Sequence, residues 1–100
     1  MTVVKRSLKL IIPTVEYEKI KTGKSIAVLY RVSNGMQKIV EEFKKGQYTA
    51  LEFRTKETQY DKHLRARWIK TEMHQGAFGV TQKIEWWFKF NFSDVREFED

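Results

Sequence analysis

Two groups of basic residues carry the chemistry that this chain of 100 residues can offer. The first is Lys24, set between Gly23 and Ser25, with Arg31 closing the apolar run Ile26-Ala27-Val28-Leu29-Tyr30. Gly-Lys-Ser invites a phosphate-loop reading, but that loop needs a glycine five residues before the Gly-Lys pair so that backbone amides can wrap a phosphate. Glu18 stands there, and the turn follows a helical pattern rather than opening one, which excludes the loop. Two readings are left. Gly23 is a helix stop with Lys24 a solvated charge, or Lys24 and Arg31 are anion contacts at the mouth of a barrel.

The second group is Lys62, His63, Arg65, Arg67 and Lys70. In a strand, Arg65 and Arg67 share a face and can bridge consecutive phosphates, with Lys62 and Lys70 extending the charge. Trp87 and Lys89 fall on the polar face of the last strand, and a hairpin would bring them toward the arginines. Trp86 already serves the apolar face, which leaves Trp87 as an indole beside guanidinium groups. Unstacked bases bind such surfaces, each stack contributing about 1–3 kcal/mol. The plainer reading is a tryptophan under a helix, or an arginine stacked on Trp87 with no ligand, worth about 0.5–2 kcal/mol by itself.

Other chemistries find little support. His63 and His74 are the only histidines and there is no cysteine, so a zinc site is not expected, nor is any cofactor. Ser25, Ser33 and Ser93 lack a nucleophile-elbow context. Glu16, Glu18, Glu41 and Glu42 read as helix-dipole and solvated-face charges.

Composition bounds the class. One hundred residues make one domain, 41% hydrophobic and 14% aromatic residues are those of a globular chain, and the absence of cysteine fits a reducing compartment. Met1 to Arg6 lacks the apolar core of a signal peptide and no run approaches a membrane span, so the expectation is a cytoplasmic protein with no membrane partner. The net charge of +6 is uneven: the acids of the second half gather at Asp94, Glu97, Glu99 and Asp100. A basic body with an acidic tail over residues 94–100 favours polyanionic partners such as nucleic acid.

The elements that must position these groups follow from periodicity. Lys9 to Ile12 is a strand stopped by Pro13, and Thr14 stands at the N-cap position of a short helix ended by Gly23. Ser25 to Val32 is a nearly continuous apolar strand, covered on both faces. Met36, Ile39, Val40 and Phe43 form the stripe of a second helix closed by Lys44-Lys45-Gly46. Tyr48 to Arg54 and Lys83 to Phe92 alternate as strands, with a loop from Thr55 to Lys62 and a turn from Gln75 to Gly79; in Leu64 to Met73, Leu64, Trp68 and Ile69 could also line a helix, but the alternation of Leu64, Ala66 and Trp68 with Arg65, Arg67 and Ile69 favours a strand. Asp94 to Asp100 is a short docked tail or a solvated one.

This order of elements, with Ile20-Lys21-Thr22-Gly23-Lys24-Ser25 followed by Arg31, resembles the ASCH domains of the PUA-like superfamily. Their N-terminal signature runs roughly Ile-x-Ser-Gly-x-Lys-Thr-x-Glu-x-Arg, and Tyr48 to Arg54 is similar to the strand that comes next. The resemblance implies an α+β fold, a small curled antiparallel sheet or open β-barrel with two short helices, in one domain over 1–100. It also implies binding of RNA or modified nucleic acid, and in small members hydrolysis of acylated cytidine by a Lys/Thr/Glu set. Only the lysine can be placed here, on Lys24, which lies one position closer to the glycine than in the signature. The leading expectation is therefore a small module binding RNA or single-stranded nucleic acid through Lys24, Arg31, Arg65, Arg67 and Lys89, with Trp87 as stacking platform. An accessory or inhibitor protein acting by protein–protein contact, and an amidohydrolase on a modified nucleoside, are the alternatives.

Overall fold

Alternation, one proline and two glycines divide the described residues into seven elements. A computed structural model describes residues 6–58, 60–76 and 85–100. In chain order they are β1 (Arg6–Ile11), α1 (Thr14–Lys21), β2 (Ala27–Arg31), α2 (Asn34–Lys44), β3 (Tyr48–Arg54), β4 (Lys62–Gly76) and β5 (Glu85–Glu99). The expectations for Met1 to Lys5, for the turn at Ala77 to Gly79 and for the strand start at Lys83 and Ile84 lie outside the described residues.

Helix α1 buries Tyr17 and Ile20, three residues apart on one face, and ends where Gly23 takes a left-handed φ of 79°. Thr14 is not its cap. Pro13 occupies that position, and the Thr14 hydroxyl instead donates to Glu57 at 3.2 Å. Helix α2 begins at a true cap, the Ser33 hydroxyl accepting the Met36 N–H at 3.2 Å, and lays Met36, Ile39, Val40 and Phe43 on the core. Ser33→Ala should cost about 1 kcal/mol of unfolding free energy, read by urea denaturation, because it orphans that N–H.

The five strands form one mixed sheet in the order β1-β3-β4-β5-β2, not closed into a barrel. Three of its pairings are antiparallel, and β1 with β3 is parallel, as the connection through two helices requires. Both helices cover the same face, so each strand is buried on one side. Leu51, Phe53, Leu64 and Phe90 are fully buried there, and the Trp68 indole stacks on Phe43 at 4.1 Å between ring centres.

This arrangement corrects the reading of β2. It is an edge strand with one covered face, burying Val28 and leaving Ile26 and Leu29 exposed. Trp86 is likewise half exposed rather than core. It shares the parity of Phe88, Phe90 and Phe92 but sits at the end of the strand, beyond the packed core.

Two bulges decide which side chains reach the open face. In β4 the partners jump from Trp68 with Phe92 to Lys70 with Asn91, so Ile69 is extra and Lys70, Glu72 and His74 turn outward. In β5 the jump falls between Ser93 and Arg96, at Asp94, the one described non-glycine residue with positive φ (55°). Beyond it Val95 and Glu97 face the helices, and Arg96 and Phe98 face out. The residues expected as an acidic tail are thus the second half of β5, paired with the start of β4, and the Asp100 N–H donates to the Asp61 carbonyl at 2.8 Å.

Candidate nucleic-acid interface

The uncovered face of the sheet carries a cluster of cations where β3, β4 and β5 run side by side. Arg65 lies between Glu52 of β3 and Arg96 of β5, and Arg67 lies between Ala50 and Ser93. Together with Asp94 and Phe98 these arginines line a concavity of about 490 Å³. Its lining holds three guanidinium groups and one carboxylate, that of Asp94.

The remaining charges nearby are engaged elsewhere. Arg54 pairs with Glu52 at 2.7 Å and with Asp100, whose carboxylate also meets His63 at 2.8 Å. Arg65 donates to the Ser7 hydroxyl at 2.8 Å. Among the described residues Arg67 and Arg96 have neither an ion pair nor a side-chain hydrogen bond, so both are available to an incoming anion. The Phe98 ring, 43% exposed, rests on the His63 ring at 5.4 Å and 20°, leaving its other side to solvent.

The expected site residues divide into three places. Arg65 and Arg67 are neighbours on the open face, as their alternation predicts. Arg31, Trp87 and Lys89 lie on the same face at its far end, where Trp87 sits between His74 and Arg31, and Lys89 between Glu72 and Leu29. Trp87 is six residues along β5 from Ser93, the partner of Arg67, or roughly 20 Å at the strand rise. It is half-buried with its indole N–H donating to the Gly76 carbonyl at 3.1 Å, and Arg31 pairs with Glu85. The expected approach of Trp87 and Lys89 to Arg65 and Arg67 is therefore not made, because the hairpin is long and its register sets His74 beside the indole.

Lys24 lies apart from both, in the loop after α1. It lines a shallow hollow with Glu18, Lys19 and Thr22, whose hydroxyl is tied to the Glu18 carbonyl at 2.8 Å. Nothing brings it to Arg31. Arg96 and Phe98 are the residues that sequence reasoning passed over, although Val95-Arg96-Glu97-Phe98-Glu99 alternates as a strand should. Reading the segment as a charged tail hid that signal.

Three carboxyls that brace the sheet and helix faces have lowered affinities for protons. Hydrogen bonds from Lys70 and then His74 hold the Glu72 carboxyl down to about 2, and Arg54 with His63 holds Asp100 below its usual value. At Glu97 partial burial pushes upward, but the Tyr17 hydroxyl and Lys21 outweigh it and the net shift is down. Each group is more acidic folded than unfolded, so the stability it contributes is present above its ordinary value and lost as pH falls through the folded one. The thermal midpoint should therefore drop steadily from about pH 4.5 toward about pH 2, and a flat midpoint across that window would contradict these pairings.

No family model matches the sequence, and no curated protein or solved structure matches it. Among the described residues no group of three or more His, Cys, Asp or Glu is placed to hold a metal ion, and no helix is long and apolar enough to cross a membrane.

Proposed function

We propose that the open face of the sheet binds single-stranded nucleic acid, RNA first, with Arg65, Arg67 and Arg96 on the phosphates and Phe98 under a base. The observation that carries this reading is the direct pairing of Arg65 with Arg96 across β4 and β5. Like charges facing each other on a sheet are destabilising, and a phosphate between them removes the repulsion. A ring beside them that is exposed on one side supplies the sequence-tolerant contact that unstacked bases take.

The reading keeps the basic strand of the sequence argument and replaces Trp87 by Phe98 as platform. Its test is fluorescence anisotropy of the whole chain with labelled oligouridine and with a duplex of equal length at low salt. Preference for the single strand is expected, with a loss of about 5- to 150-fold in affinity for Phe98→Ala if one stack of roughly 1–3 kcal/mol is removed. Absence of binding to either ligand at low ionic strength overturns it.

A further inference from the structure

The concavity among the arginines also holds one group that repels a phosphate. Asp94 is the only acid in its lining, which it shares with Arg65, Arg67 and Arg96. Among the described residues its carboxylate forms an ion pair with none of them. Its one side-chain hydrogen bond comes from the neighbouring Ser93 hydroxyl, at 3.3 Å to Oδ2, and leaves Oδ1 with lone pairs to spare.

The backbone fixes Asp94 in this place. It is the bulge residue of β5, held at a φ of 55° in the left-handed region that aspartate and asparagine enter more readily than other side chains. From there Asp94, Arg96 and Phe98 follow at every second residue, roughly 7 Å of strand per step, and all three line the concavity. The order is a hydrogen-bond acceptor, a cation and an aromatic ring. A carboxylate can only accept, so whatever it binds must donate. A phosphodiester offers no donor, and neither does an internal deoxyribose. A ribose does, through the 2′-hydroxyl on the carbon next to the one that carries the 3′-phosphate.

We infer that Asp94 makes the site selective for ribose, an inference that rests on the reading of this face as a single-strand site. The carboxylate accepts the 2′-hydroxyl proton beside the phosphate held by Arg96, while Phe98 takes a base. With a deoxyribose strand the same carboxylate faces phosphate charge with no donor to satisfy it, so the residue acts by rejection as well as by attraction.

The test is anisotropy of the full chain at low salt with labelled oligouridine, oligodeoxyuridine and 2′-O-methyl-oligouridine of one length. Oligouridine should bind about tenfold or more tightly than either of the others, the effect of one hydrogen bond to a charged group. The methylated strand keeps the oxygen and loses the proton. Asp94→Gly suits the positive φ and removes the carboxylate, so oligodeoxyuridine should bind more tightly and the preference for ribose should vanish. Asp94→Asn also fits that φ and removes the charge alone, and should leave a weaker preference. If Asp94 only moderates the arginine charge, both variants tighten all three ligands equally and leave the ratios unchanged, which overturns the inference. Equal binding of oligouridine and oligodeoxyuridine by the wild-type chain, or of oligouridine and its methylated form, overturns it while the single-strand site stands. Absence of binding to all three overturns both.

Discussion

Replacing Arg96 with glutamine should stabilise the chain and weaken its hold on single-stranded nucleic acid at the same time. The gain comes from removing a guanidinium set directly opposite Arg65, a relief of about 0.2–1 kcal/mol for like charges on facing strands. No ion pair or side-chain hydrogen bond among the described residues is lost in exchange. The cost comes from one phosphate contact fewer. For Arg65, Arg67 and Arg96 replaced together, the slope of log affinity against log salt should flatten by about 2, at about 0.7 per phosphate contact on a single strand. Urea denaturation and anisotropy titrations at several salt concentrations read the two effects separately. A purely structural role for these arginines predicts the opposite sign for the first measurement and no change in the second.

The largest effect on stability is expected at Phe90. Its ring is fully buried where β5 runs between β4 and β2, edge-on to Trp68 at 5.2 Å and near Tyr30 at 6.2 Å. Phe90→Ala should cost about 3–5 kcal/mol, the lost transfer energy plus the cavity left among rings that cannot collapse into it. Against a total of about 5–15 kcal/mol for a domain of this size, that is enough to populate the unfolded state measurably at moderate temperature. A cost under about 1 kcal/mol would mean that the helices do not close over this part of the sheet. The open face shares β5 with this core, so both variants also test whether the sheet that presents Arg96 is anchored as described.

Periodicity made the helices and most strands legible before any coordinates. The stripe from Met36 to Phe43, the alternation of Leu51 and Phe53, and the run of Phe88, Phe90 and Phe92 each assign one face without ambiguity, because a one-residue slip would expose every ring. What could not be read was where that alternation breaks. Nothing marks Ile69 as an extra residue except the partner strand, and Asp94 becomes a bulge only because β4 and β5 continue pairing beyond it. Each break reverses the faces that follow, which is why Lys70 and His74 turn outward and why Arg96 and Phe98 join Arg65 and Arg67, whereas Trp87 shares their face but lies at its far end. Edge position was equally hidden. The apolar run of β2 looks like an interior strand, yet its place depends on β5 pairing with it from the other end of the chain.

Chemical-shift mapping of the wild-type chain with oligouridine at low salt tests the central claim most directly. The account predicts the largest changes at Arg65, Arg67, Arg96 and Phe98, at one end of the open face. Changes confined to Lys24 on the helix side, or to Arg31 and Trp87 at the far end of the sheet, or no changes at all, would contradict it.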